Sequence, residues 1–184
     1  EVKIGHFTDY GGKVTYNFGQ RPFAYTPPTG YKKLNTYNLP DSTIVDGSQY
    51  FDVDTWSGDS NATTQIPTPF SPDFVWIKNR SNTGGSGASS HMLYDTIRGV
   101  QKELQSNLTN AEGTTSTGLN SFDSDGYKPG TSTRTNATGN TYVGWSWRGS
   151  DSSPVTNTDG TITSTVSANT NSGFSVVTYT GNGT

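Results

Sequence analysis

Side chains alternate at a period of two in one short segment after another, and turn-forming residues break each segment. In Tyr142-Val143-Gly144-Trp145-Ser146-Trp147 every second residue shares a face, because successive side chains of a strand point to opposite sides of a sheet. Similar segments occupy residues 50–56, 74–78, 91–95, 119–122, 161–167 and 174–180. Nearer the start, Val2-Lys3-Ile4 and the run from Lys13 to Phe18 alternate as well, around a turn at Gly11-Gly12. Gly-rich or Asp-rich stretches such as Asn82-Thr83-Gly84-Gly85-Ser86-Gly87 separate them. Short strands with turn signals at close spacing predict an all-β sandwich or barrel. One segment departs from the pattern. Leu93, Ile97, Val100, Leu104 and Leu108 recur at the spacing of one helix face. Gly99 interrupts that face at a cost of about 1 kcal/mol relative to Ala. At most one short helix is therefore expected, between Arg98 and Ser106.

A core for such strands has to be thin. Only 28% of residues are hydrophobic, and Thr (30), Ser (22), Gly (22) and Asn (15) fill nearly half of the 184 positions. Disorder would call for high net charge and few aromatics, but the net charge is −3 and 12% of residues are Phe, Trp or Tyr. Aromatic rings each bury a large area, so a few of them build a core that small polar residues surround. This balance fits an extracellular or virion protein. The absence of cysteine excludes a disulfide scaffold and thiolate-held zinc, and no cofactor is expected. No apolar run approaches the roughly 18 residues of a membrane helix, so no membrane insertion is expected. Without a Lys/Arg stripe to neutralise phosphates, neither is a nucleic-acid partner.

Three segments follow from the punctuation. Asn38-Leu39-Pro40-Asp41 reads as a boundary, since Pro restricts its predecessor and Asp starts turns. Residues 1–41 are then closing strands of one domain, and residues 42–150 form a β-sandwich. After the linker-like Ser150-Asp151-Ser152-Ser153-Pro154, residues 151–184 open a further repeat. The repeat rests on Phe51-Asp52-Val53-Asp54-Thr55-Trp56-Ser57-Gly58. It aligns without gaps on Phe174-Ser175-Val176-Val177-Thr178-Tyr179-Thr180-Gly181, at an offset of 123. Tandem architecture is the physical reading of such self-similarity. The chain starts at Glu1 rather than Met, and we expect it to be processed or to continue in a longer protein.

Two stretches resemble known families. Asn17-Phe18-Gly19-Gln20-Arg21-Pro22-Phe23, followed by Tyr25 and Pro28-Thr29-Gly30-Tyr31, resembles the closing strands of a SPRY domain. The resemblance implies a concanavalin-like antiparallel β-sandwich of jelly-roll type, with a turn at Asn17 and Gly19 and packing by Phe18 and Phe23. Pro72-Asp73-Phe74-Val75-Trp76-Ile77-Lys78-Asn79-Arg80 is followed by Tyr94-Asp95-Thr96-Ile97-Arg98-Gly99. Then come Leu104, Ser106-Asn107, Phe122-Asp123-Ser124-Asp125-Gly126-Tyr127 and the Tyr142–Trp147 run, the whole set covering roughly residues 45–150. This ordered set resembles repeat domains of tail-fibre and other virion proteins from marine and aquatic phages. It implies a structural, non-enzymatic virion component located outside the cell. The expected partners are further copies of the chain, other virion proteins and a host-surface glycan. Alternative readings are a carbohydrate-binding or polysaccharide-active module, or a capsid decoration protein.

The chemistry-bearing residues are few. A glycosidase needs two carboxylates flanking the sugar, and Asp52 with Asp54, or Asp123 with Asp125, have the i, i+2 spacing that puts both on one strand face. Glu1, Glu103 and Glu112 have no such neighbour. Asp123-Ser124-Asp125-Gly126 is also turn chemistry, which we prefer. The same run makes Asp123 and Asp125 candidate ligands for a hard cation, though the remaining spacing of an EF-hand loop is missing. Ser89-Ser90-His91 with Asp95 has the residue types of a hydrolytic triad, which only geometry can establish; the other histidine is His6. Trp145 and Trp147 share a strand face and are the binding candidates: stacked on sugars they make a lectin-like platform, buried they make core. Core is the expectation for at least one of them. Asn61, Asn79, Asn107, Asn136 and Asn182 begin Asn-x-Ser/Thr sequons, as a chain of this composition produces without glycosylation.

Overall fold

A computed structural model describes residues 41–81, 89–150 and 152–183, together with residues 17, 21–26 and 28–32. The chain divides into two compact units, residues 1–42 and 43–184. Of the first unit, Asn17 ties a turn: its Oδ1 accepts from Arg21 N and its Nδ2 donates to Arg21 O. Tyr31 N closes a second turn on Pro28 O, with Gly30 at φ +90°. The strands expected around Val2–Ile4 and Lys13–Phe18 (Asn17 apart), His6, Gly19 and the 82–87 turn lie outside the described residues.

The second unit is antiparallel β throughout its described residues, with one 3-10 turn at Gly47–Gln49. Its large sheet contains β1 (Phe51–Ser57), β3 (Phe74–Asn79), β4 (His91–Asp95), β5 (Lys102–Gln105), β6 (Gly113–Thr114) and β9 (Thr141–Trp147). They lie in the order β1-β9-β3-β4-β5-β6. A small sheet of β2 (Ile66–Pro67), β8 (Gly126–Pro129) and β7 (Leu119–Asp123) faces it. A third sheet is formed by β10 (Val155–Asn157), β11 (Ser164–Asn169) and β12 (Phe174–Tyr179).

The helix-like spacing after Leu93 belongs to a hairpin. Residues 96–101 turn the chain, β5 runs back along β4, and Leu93 pairs directly with Leu104. Leucines on facing strands reproduced an 11-residue separation that also suits a helix.

The core lies between the large and small sheets. Val75 and Ile77 of β3, Met92 and Tyr94 of β4, and Tyr142 of β9 meet Ile66, Leu119 and Tyr127 from the small sheet. Each follows from the period of two: β9 alternates half-buried and buried along its whole length. Three tyrosines (Tyr94, Tyr127 and Tyr142) are wholly buried and supply volume that aliphatic residues provide elsewhere. Buried hydroxyls need partners. Tyr142 Oη accepts from Ala137 N at 2.8 Å and donates to Thr133 O at 3.0 Å. Tyr94 Oη donates to Glu103 Oε2 at 3.3 Å, and Glu103 is held by Arg134. Tyr127 Oη has no partner.

Two glycines allow close approaches, Gly126 between β2 and β8 within the small sheet and Gly144 between the large and small sheets. A Cβ on Gly126, whose φ is +149°, would fall 2.2 Å from Ile66 O. One on Gly144 would fall 2.0 Å from Tyr127 Oη and 3.1 Å from the Trp56 ring. Overpacking of this kind costs about 1–3 kcal/mol. Gly144→Ala is expected to lower unfolding free energy by that amount in chemical denaturation. Adding Tyr127→Phe to it should recover part of the loss, because the atom that clashes first is gone.

Candidate functional site: an aromatic sheet face

Directly paired residues of an antiparallel sheet share a face, so the register writes the outer face of the large sheet as rows. Phe51, Trp147, Phe74 and Asp95 form one row. Val53, Trp145, Trp76, Leu93 and Leu104 form the next. Thr55, Val143, Lys78 and His91 form a third. Trp145 and Trp147 therefore share a face, as their spacing requires. Neither enters the buried core, which the tyrosines of the opposite face occupy; both are half-buried.

The two indoles have different surroundings. Trp147 is ringed by Phe51 at 5.0 Å, Phe74 at 5.4 Å and Phe174 of β12 at 5.8 Å, the last stacked at 18°. Trp145 meets Trp76 edge-on at 5.7 Å. Trp76 Nε1 donates to His91 Nδ1 at 2.9 Å, and the rings lie 5.5 Å apart. That bond needs an unprotonated Nδ1. Burial, and then the charge of Lys78, lower the His91 pKa from its ordinary value, so the neutral ring is the form the fold favours. The Trp145–Trp76 pair with Lys78 and His91 beside it is an amphipathic, half-exposed surface. Ring faces and edges of this kind stack on sugars or on apolar side chains. Beside it, Phe74, Leu93, Leu104, Arg98, Phe174 and Val176 line a cleft of about 330 Å³ under β12.

The carboxylates go elsewhere. Asp123 and Asp125 sit at the β7–β8 hairpin, where Asp123 pairs with Gly126 across a two-residue turn. Lys128 Nζ binds Asp123 at 2.7 Å, and Gln65 Nε2 binds Asp125 Oδ1 at 2.6 Å. The described residues contain no group of three or more His, Cys, Asp or Glu that could hold a metal ion. His91 and Asp95 share β4, but Nδ1 of the first is taken by Trp76 and both oxygens of the second by Arg98. Asp52 and Asp54 share the inner face of β1, and Asp54 lies opposite Gly144, against which Tyr127 Oη rests. Burial, and then Asp52, raise the Asp54 pKa; its Oδ2 has no hydrogen-bond partner. Asp54 therefore binds a proton more readily than an exposed aspartate does.

The sequons divide. Asn79 and Asn136 are buried at 1% and 0% exposure. Asn79 binds Thr133 O, and Asn136 binds Asp59 and Asn61, so neither can carry a glycan in the folded chain. Asn61, Asn107 and Asn182 are exposed. Sequence reasoning missed Phe51, Phe74 and Trp76 as members of the aromatic face. Alternation in residues 74–78 put Phe74 and Trp76 on one side of a strand, but only the register brings that strand beside β9.

The His91 bond makes a pH test. A base whose folded pKa lies below its unfolded value of 6.5 contributes stability that is complete above that value. The contribution is lost as pH falls through the depressed folded pKa. The parent is expected to lose more thermal stability between pH 7 and pH 5 than His91→Phe does, with a tryptophan emission change over the same interval in the parent alone.

No curated protein and no solved structure matches the chain. Residues 46–184 match the domain of unknown function DUF7483. That stretch begins at the 3-10 turn before β1 and takes in all three sheets of the second unit. The chain belongs to the DUF7483 family.

Proposed function

We propose that the chain is a non-catalytic structural and adhesive module of a phage virion, of concanavalin-like, jelly-roll type, working outside the cell in a fibre-like assembly. In this reading it assembles with further copies of itself and with other virion proteins, and it touches a host-surface glycan through the outer face of the large sheet. The observation that carries the contact role is the half-exposed Trp145–Trp76 pair, held in place by the bond to His91. The ordered motif resemblance supports the virion role. A second reading, a polysaccharide-active module, is favoured by one observation: Asp52 and Asp54 share a face, with a raised pKa on Asp54. Its placement inside the sandwich, beneath Tyr127, argues against access by a polymer.

Two measurements test the proposal. Mass spectrometry of purified particles should find the chain, and its absence would remove the virion role. On a glycan array or on host cells, Trp145→Ala and Trp76→Ala should each weaken binding about tenfold or more, as loss of a stacked aromatic does. Equal binding by parent and variants would remove the aromatic face from the reading. Polysaccharide turnover that disappears in Asp54→Asn would replace the proposal with the enzymatic one.

A further inference from the structure

β1 and β12 carry similar sequences and receive opposite treatment. At the offset of 123, Phe174 is the counterpart of Phe51, Val177 of Asp54 and Tyr179 of Trp56. The approach to each strand is built alike. Asp46 and Asn169 stand at the same offset, and each side chain accepts a backbone N–H two residues on: Ser48 N at 3.0 Å, Asn171 N at 3.1 Å. Both opening phenylalanines then pack on the same ring, Trp147, Phe51 at 5.0 Å and Phe174 at 5.8 Å.

The remaining faces differ. In β1, Asp52, Asp54 and Trp56 turn into the sandwich, where Trp56 stacks on Tyr142 at 5.5 Å and meets Tyr127 edge-on at 6.2 Å. In β12 the counterparts Ser175, Val177 and Tyr179 turn outward. Val177 is 47% exposed and Tyr179 68%. Val155, 62% exposed, and Val166 lie in the same row as Val177. The chain thus exposes an apolar strand face whose internal counterpart is covered by core tyrosines. Among the described residues β12 is also the edge strand of its sheet, with no strand paired to its other side, as strand addition requires.

We propose that β12 is the opening strand of a further unit of this same fold, and that the Val155–Val166–Val177–Tyr179 face is the docking surface for that unit's core. The occupant is a second copy of the sandwich, presenting its counterparts of Tyr127 and Tyr142 to Tyr179 and its counterpart of β9 to the free edge of β12. Trp147 is then the joint between consecutive units, gripped by the first phenylalanine of each. The substitutions between the strands agree with this. Position 54 carries a buried carboxyl oxygen without a partner, and Val177 offers an apolar side chain there. This inference concerns assembly and does not rest on the glycan-contact reading.

Two designs test it. In the first, Asp52→Ser, Asp54→Val, Trp56→Tyr and Ser57→Thr are made together in the full chain, giving β1 the sequence of β12. The sandwich should keep a cooperative thermal transition within about 5 °C of the parent's. In the second, residues 59–150 are fused after Gly181, so that β12 stands where a second β1 would. The added unit should resist limited proteolysis, and Tyr179→Asp should leave it digestible while the first unit stays intact. Loss of the cooperative transition in the first design overturns the proposal. So does digestion of the fused unit when the first design folds, or protection of that unit regardless of Tyr179.

Discussion

The contact between the Tyr127 hydroxyl and the bare backbone of Gly144 sets the spacing of the whole sandwich. Gly144 lies in β9, which pairs with β1 on one side and β3 on the other. A side chain there would hold the small sheet away from the middle of the large one. With none, Tyr127 reaches across the core to the backbone of β9, and Trp56 packs edge-on against it. A chain so poor in aliphatic side chains needs this arrangement. Tyrosines reach further than valine or leucine and bury more area each, but their hydroxyls must end somewhere tolerable. Those of Tyr94 and Tyr142 end on Glu103 and on backbone groups; that of Tyr127 ends at Gly144 beside Asp54. Burial raises the pKa of both Tyr127 and Asp54, the cost of placing either charge at this point of the core.

Much of the polar content that reads as chemistry in the sequence is joinery. Asp73 holds Thr96 Oγ1 through one oxygen and the amides of Gly149 and Ser150 through the other. Asn136 bridges Asp59 and Asn61 across some 75 positions of sequence. Asn79 anchors the 133 loop from inside the sheet. Short Asp and Asn side chains satisfy backbone groups that turns leave open, and a thin core leaves many such groups near the interior. The Asp123–Asp125 hairpin and the buried sequons Asn79 and Asn136 belong to this class.

How far the sequence was legible follows from range. Period-two alternation is local, so β3, β4, β9 and β12 could be located, and Trp145 and Trp147 placed on one face, without any knowledge of neighbours. Which face is core depends on what lies opposite. At least one of the β9 indoles was the expected core residue, yet in β9 Tyr142, Gly144 and Ser146 face inward and Trp145 and Trp147 outward. Leu93 to Leu108 shows the converse error, in which a non-local pairing of Leu93 with Leu104 imitates a local helical repeat. The aromatic face was half legible: its two strand-mates in β9 were visible, while Trp76, Phe74 and Phe51 needed the register. Similarity between β1 and β12 was visible as letters, and only the exposure of Val177 and Tyr179 gave it physical content.

The chain enters the sandwich at Phe51 and leaves it at Trp147, and these two residues are direct partners at the same end of adjacent strands. Tension applied through the flanking segments would therefore peel β1 from β9 one pair at a time instead of shearing all seven pairs together. Peeling geometry is mechanically weak unless its first step is obstructed. Here the starting point carries the Phe51–Trp147–Phe74–Phe174 ring cluster, the bond from Arg148 N to Tyr50 O at 2.9 Å and the grip of Asp73 on residues 149–150. The densest packing on the outer face thus lies where a pulled chain would first open, and resistance to force is concentrated in a clasp rather than spread along the sheet.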